Sequence, residues 1–214
     1  MPPHHGAYRG VGTEGVLQAD FYDRDSRRVA VDLLGCVLVH DSAEGRTSGL
    51  IVETEAYRPD DPACHAYKNA GTRRNRTIFS PPGRAYVYLS YGVHRLLNVV
   101  CEGEGVGSAV LIRALRPLEG VELMTERRGK ADLCTGPGKL TQAMGVELSQ
   151  DGQNVTGGSL FVAWEEHPEA EILSTTRIGI SRGTELPWRY LLHKDPDVSV
   201  PPKAVSERGL TRSR

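Results

Sequence analysis

Glu53, Glu55 and Tyr57 stand two residues apart from one another, and no other residues in the chain are better placed for acid–base chemistry. On an extended strand alternate side chains share a face, so the three project together. A carboxylate held among aromatic and apolar neighbours has its ionisation displaced and can take a proton from water. The same pattern also describes two strand glutamates turned to solvent, and for Glu53 that is the expected arrangement. Tyr57 and the basic loop that follows it argue for an enclosed Glu55.

That loop opens a stretch suited to a polyanion. Between Ala66 and Cys101 there is no Asp or Glu, while Lys68, Arg73, Arg74, Arg76, Arg84 and Arg95 give it +6. The whole chain is at −1, so the remainder carries −7. A basic segment on an otherwise acidic protein is the electrostatic footprint of a nucleic-acid partner. Five of the eight tyrosines, Tyr57, Tyr67, Tyr86, Tyr88 and Tyr91, fall in or beside it. Aromatic rings interleaved with arginines supply base stacking and phosphate contact. Rings that fill the sheet's own core are the alternative, as plausible as stacking for Tyr86 and less so for Tyr91, which a turn exposes.

Several isolated polar residues admit two readings each. His65, in the loop after Tyr57, is a structural histidine unless a pocket claims it. Asn98 interrupts the apolar run Leu96 to Val100, where a buried amide needs partners, either structural ones or a base. Arg113 interrupts a second apolar run, where the plain reading is a buried ion pair. Gly136-Pro137-Gly138-Lys139 has the amides, dipole and lysine that hold a phosphate, and it also suits an ordinary helix start. Cys36, Cys64, Cys101 and Cys134 form no close pair, so buried free thiols are expected and no zinc site. His4 and His5 sit in a Pro/Gly-rich terminus that does not favour a metal.

The elements that position these residues follow from periodicity. Asp25 or Ser26 caps a helix to Leu34, stopped by Gly35. Cys36–His40 is a short strand, and Leu50–Tyr57 is the strand that carries the glutamates. Residues 58–83 form a loop long enough to be functional. Arg84–Ser90 and Arg95–Cys101 make a hairpin with Tyr91-Gly92 at its turn. Ala109–Arg116 is a strand ended by Pro117. Leu118, Val121 and Met124 have helical spacing closed by Gly129, and a helix follows from Pro137 to Met144. Leu160–Trp164, Arg177–Ile180 and Trp188–Leu192 are later strands. The result is an α+β class, one mixed domain over residues 16–200 between disordered tails at 1–15 and 201–214. No apolar run reaches membrane-spanning length and no signal peptide opens the chain, so a cytoplasmic protein is expected.

Taken in order, these residues resemble the alkyladenine (3-methyladenine) DNA glycosylase family. The carriers are Ile51-Val-Glu-Thr-Glu-Ala-Tyr57, Cys64-His65, Arg74-Asn75-Arg76, Tyr86-Val-Tyr88, Tyr91-Gly92, Leu97-Asn98, Leu111-Ile-Arg113-Ala-Leu115, Pro117-Leu-Glu-Gly120 and Cys134-Thr-Gly-Pro-Gly-Lys-Leu140. The resemblance implies a curved, largely antiparallel sheet with flanking helices and a protruding hairpin that intercalates into DNA. It implies a cofactor-free hydrolase, working as a monomer on double-stranded DNA that contains damaged purines: 3-methyladenine, 7-methylguanine, hypoxanthine or ethenoadenine. Glu55 would activate the water and Arg113 would help position it or the sugar-phosphate near it. Tyr57, His65 and Tyr88 would surround a flipped base, and Asn98 would crowd the amino group of a normal guanine. Tyr91 would fill the gap in the duplex, with Arg74, Arg76, Arg84 and Lys139 on the DNA. Ala66, Ile78 and Ser90 depart from the family's usual residues and bear on pocket size and hairpin packing.

Two other function classes fit parts of the sequence. A lyase-type glycosylase would use Lys68 or Lys139 as a Schiff-base nucleophile. A non-catalytic single-strand binder explains the basic stretch but leaves Glu55 without a task.

Overall fold

The computed structural model describes residues 15–165 and 170–201, so the expected tails lie almost wholly outside the described residues. After a single helical turn, α1 (Ala19–Tyr22), the Asp25 carboxylate accepts a hydrogen bond from the Arg27 N–H at 2.9 Å. That satisfies one of the orphan donors of a helix start and nucleates α2 (Ser26–Asp32). Val29, Ala30 and Val31 face the core, and Gly35, at φ 78°, turns the chain out of the helix.

Among the described residues the chain then builds an eight-stranded sheet in which every named pairing is antiparallel. Strand β1 (Val37–Ser42) turns at Glu44-Gly45 into β2 (Gly45–Tyr57), which carries both glutamates. After the long loop, which holds short 3₁₀ turns at Tyr67–Asn69 and Arg76–Phe79, come β3 (Ala85–Ser90), β4 (His94–Cys101) and β5 (Ser108–Glu119). Helices α3 (Val121–Arg128) and α4 (Pro137–Met144) follow, then β6 (Leu160–Ala163), β7 (Ile172–Thr175) and β8 (Arg189–Leu192). The strand order is β3-β4-β5-β2-β1-β6, with the β7–β8 hairpin attached to β2 through β8. Along one edge of β2, β1 pairs with its first half and β8 with Glu53, Thr54 and Glu55, while β5 runs along the other edge.

The β2–β5 ladder slips at Ser48/Gly49, Ile51/Glu53 and Glu53/Thr54. Such irregularities bend a strand, add twist and re-aim side chains, and here they curl the sheet at the segment that carries the glutamates. Thr54 points to the helical side, where its hydroxyl donates to the Ala30 carbonyl of α2 at 2.8 Å. The main apolar core lies on that side, between the sheet and α2 and α4. A smaller cluster, built on Cys64, Ala66, Ile78, Tyr86, Val100 and Ala109, lies beneath the long loop.

Two expectations from the sequence need correction. Strand β5 does not stop at Pro117 but runs to Glu119, and Pro117 pairs with Gly49 at one of the slips. Strand β4 pairs with β5 only from Ser108 to Leu111, so the other edge of β5 is free of β4 at Pro117, and the missing N–H costs no ladder bond there. Arg177–Ile180 is an irregular turn, with Gly179 at φ 76°, and the strand lies earlier, at β7. All four cysteines are free and buried. Among the described residues no helix is long and apolar enough to cross a membrane.

Candidate active site

Glu55 lies on the central strand with its backbone paired to β5 and β8, so only its side chain remains to be satisfied. That side chain is fully buried, yet it reaches the wall of a cavity of about 550 Å³. One carboxylate oxygen accepts the Ile178 N–H at 2.8 Å, and the other accepts the Tyr57 hydroxyl at 2.8 Å. Arg113 Nη1 stands 3.5 Å from the first oxygen. Burial raises the Glu55 carboxyl above its ordinary value, although Arg113, the Ile178 amide and Tyr57 all pull the other way. A carboxylate with raised proton affinity, facing a cavity, has the properties of a general base.

Glu53 is also fully buried, contrary to the solvent-facing position expected from its strand pattern. It accepts from Arg189 Nε at 2.6 Å, the Ser199 N–H at 2.6 Å and the Ser199 hydroxyl at 2.9 Å, and it forms an ion pair with Arg113, whose Nε lies 2.9 Å away and donates to the Ser199 hydroxyl at 3.2 Å. The slips on either side of Glu53 turn it toward β8 and the segment beyond that strand rather than outward. Arg113 is therefore the buried ion-pair partner that its apolar setting suggested, and its second contact is Glu55.

An aromatic wall faces Glu55. Tyr57 contributes its ring, and burial together with the neighbouring Glu55 charge holds its phenol well above its usual range, so it remains a hydrogen-bond donor. His65 Nδ1 lies 2.8 Å from the Tyr86 hydroxyl, and its ring meets that of Tyr88 edge-on with centroids 4.5 Å apart. Burial, aided by the charge of Arg74, lowers the His65 pKa, which leaves the imidazole neutral near pH 7. Burial pushes the Tyr88 phenol up to about 12. Tyr86 belongs mainly to the smaller apolar cluster, so for this residue the core-filling reading accounts for most of the ring. Asn98 is buried on the cavity wall, with its amide nitrogen donating to the Tyr86 carbonyl at 3.1 Å. Tyr91, in the β3–β4 turn at φ 49°, is 88% exposed at the cavity mouth.

The cationic residues expected to meet DNA are more dispersed. Arg74 and Arg76 are exposed in the long loop, and Arg74 donates to the Leu89 carbonyl at 2.9 Å. Arg84 is half-buried and bonds the Gly152 carbonyl at 3.1 Å. Lys139 is tied to the Asp132 carboxylate and to the Thr135 hydroxyl at 3.2 Å, and α4 begins at Pro137 as an ordinary helix start. None of these four lines the cavity.

The far wall of the cavity, Ile178 to Arg182, was not foreseen in the sequence. Nor were Asp61, Arg177, Arg189 and Ser199, which pack behind the site. The only local signal was an arginine and a glycine that break the apolar pattern of Arg177-Ile-Gly-Ile180.

Residues 20–196 match the family model described as methylpurine-DNA glycosylase (MPG). The chain belongs to the methylpurine-DNA glycosylase family. Its relatives agree over nearly their whole lengths. A protein of Rubrobacter xylanophilus is 65% identical over 185 residues, covering 86% of this chain and 96% of that one. One of Methanoculleus marisnigri is 49% identical over 183 residues, covering 82% and 94%. One of Chlorobaculum tepidum is 46% identical over 210 residues, covering 92% and 99%. All three bear the name "Putative 3-methyladenine DNA glycosylase". As a methylpurine-DNA glycosylase the chain is a DNA-repair enzyme, which removes the non-catalytic single-strand binder from consideration.

Proposed function

We propose that this glycosylase flips an alkylated or deaminated purine out of duplex DNA into the cavity and hydrolyses its N-glycosidic bond with a water activated by Glu55. The substrates proposed are 3-methyladenine, 7-methylguanine, hypoxanthine and ethenoadenine. The observation that carries the reading is a fully buried carboxylate of raised proton affinity at the wall of a cavity of about 550 Å³, with an exposed tyrosine at its mouth. A base inside the helix is out of reach of any side chain, so it must leave the stack at a cost of roughly a few kcal/mol. The Tyr91 ring, inserted in its place, offsets part of that cost and kinks the duplex. Arg74, Arg76, Arg84 and Lys139 are proposed to meet phosphates around the mouth.

In the cavity the base stacks on Tyr57 and Tyr88 beside His65. For a cationic N-alkylated purine the ring faces add a cation–π attraction of roughly 0.5–2 kcal/mol. Asn98 crowds the exocyclic amino group of an ordinary guanine and so discriminates by repulsion. Cleavage then follows the logic of glycoside hydrolysis. The bond from the sugar C1′ to the purine nitrogen breaks with its electron pair going to the base, which leaves neutral if it was cationic and must take up a proton from solvent if it was neutral, and positive charge builds on the sugar. Glu55 stabilises that charge and takes the proton of the water that forms the new C1′–O bond. Arg113, shared between Glu53 and Glu55, fixes the carboxylate that orients the water.

The test is incubation with duplexes that each hold one modified purine, counting released base and alkali-labile sites. The unmodified protein is expected to release base, and Glu55→Gln to lose that release by about 10²-fold or more while still binding DNA. No release from any duplex refutes the proposal. A covalent adduct trapped by borohydride would favour a Schiff-base lyase instead.

A further inference from the structure

Behind the aromatic wall lies a charge with no task so far. The Arg177 and Asp61 side chains are both wholly buried and paired to each other. Arg177 Nη2 donates to Asp61 Oδ1 at 2.9 Å, and Nη1 bonds Asp61 Oδ2 and also the Ala56 carbonyl at 3.0 Å. The guanidinium carbon lies 4.7 Å from the ring centroid of Tyr57 and 5.4 Å from that of Trp188. Tyr57 lines the cavity and Arg177 does not. The phenol ring therefore separates a fixed positive charge from the space in which the base is proposed to stack.

We propose that Arg177, held in place by Asp61, sets base specificity through the Tyr57 ring by lowering the enzyme's preference for cationic over neutral bases. This rests on the proposed function, in which a flipped base stacks on Tyr57. A cation is attracted to the negative face of an aromatic ring. A guanidinium on one face polarises the ring away from the cavity, and it also repels a cation on the other face through a low-dielectric interior. A neutral base stacks mainly through dispersion and loses little. The Asp61 carboxylate, bonded to both Nη atoms of the guanidinium, moderates the effect. Arg177 thus weakens the hold on 7-methylguanine far more than the hold on hypoxanthine, which lets one cavity serve both charge classes.

The same pair also staples the loop after β2 to the turn that carries Ile178, so a purely structural role must be separated from this one. The assay measures single-turnover release of 7-methylguanine and of hypoxanthine from otherwise identical duplexes, in mildly acidic buffer where 7-methylguanine keeps its charge. The ratio of the two rates is the readout. Arg177→Gln is expected to raise the ratio in favour of the cationic base by about threefold to tenfold. Asp61→Asn, which leaves the guanidinium uncompensated, is expected to lower it. Arg177→Lys, which keeps the charge, is expected to stay nearer the parent ratio. If Arg177→Gln does not fold, the double variant with Asp61→Asn replaces it, because it leaves no lone buried charge, and a smaller rise is expected. A structural staple would slow both bases alike. An unchanged ratio, or a shift of the same sign in the arginine and aspartate variants, overturns the inference. Should the parent release none of the four modified purines, the proposed function fails and this inference with it, whereas release of another purine but of neither of these two removes this inference alone. Release by the parent with an unmoved ratio removes this inference alone.

Discussion

Replacing Glu53 by glutamine keeps the shape of a buried side chain and removes its charge, and the consequences can be worked through. Glu53 neutralises two guanidinium groups, Arg113 at 2.9 Å and Arg189 at 2.6 Å, none of the three side chains being more than 9% exposed. Removing one partner of a buried ion pair costs about 3–5 kcal/mol, because the remaining charge is left without compensation. That is a large part of the roughly 5–15 kcal/mol that holds a domain folded. For a chain of this size it lowers Tm by about 6–20 °C, at some 2–4 °C per kcal/mol. The catalytic effect has a definite sign. Glu53 raises the proton affinity of Glu55 by like-charge repulsion, and it also holds Arg113 in an ion pair at 2.9 Å. Without that charge, Arg113 turns toward Glu55, now 3.5 Å away. Closing that gap to ion-pair distance adds about 1 kcal/mol of attraction at an effective dielectric constant of about 20. Both changes favour ionised Glu55. The acid limb of the single-turnover rate therefore moves to lower pH, and the plateau falls because the carboxylate has become a weaker base. Thermal denaturation followed by circular dichroism, together with a pH profile of base release, tests both halves. A Tm equal to the parent's, or an acid limb displaced to higher pH, refutes the reasoning.

Three further outcomes follow from the site. Tyr57→Phe deletes a hydroxyl that donates to Glu55 at 2.8 Å and favours its charged form, so the already raised carboxyl rises further and the acid limb of base release moves to higher pH; an unmoved limb counts against it. Tyr91→Ala, at a position 88% exposed, is expected to leave Tm unchanged and to slow base release from duplex DNA by about tenfold to hundredfold, the loss being smaller where the damaged base is already unpaired. Replacing Arg74 and Arg76 together by alanine is expected to reduce the slope of log binding constant against log salt by about 1.8, at roughly 0.9 per phosphate contact, with no loss of thermal stability.

The parts of this protein that were legible in the sequence are those whose physics is local. The Asp25 cap, the shared face of Glu53, Glu55 and Tyr57 on β2 and the Tyr91-Gly92 turn each depend on neighbours within a few residues, and the structure has all three where they were expected. Glu53 was misplaced because its fate is decided at long range: Arg189 and the Ser199 hydroxyl approach it from 136 and 146 residues away. Nothing near Glu53 in the chain announces them. Arg177 and Asp61 are likewise 116 residues apart, and one was assigned to a strand and the other to an undifferentiated loop. Pro117 misled for a different reason. Its lack of an N–H ends a strand only where a partner needs that donor, and strand pairing cannot be read from one strand alone.

On the proposed mechanism, the two buried glutamates divide a single problem between them. A carboxylate alone in this cavity would hold its proton so tightly that it could not act near neutral pH. The same carboxylate in a full ion pair would be ionised but too weak a base to take a proton from water. Glu55 lies between these extremes because its cation is already claimed: Arg113 is 2.9 Å from Glu53 and 3.5 Å from Glu55. The two neutral donors, the Ile178 amide and the Tyr57 hydroxyl, then favour ionisation without adding a second charge. Placing both glutamates on a single strand whose backbone pairs with β5 and β8 at both positions makes this division rigid, since neither side chain can move without disturbing β5 or β8. The second carboxylate of the motif thus acts at one remove, by limiting how closely Arg113 may approach the first.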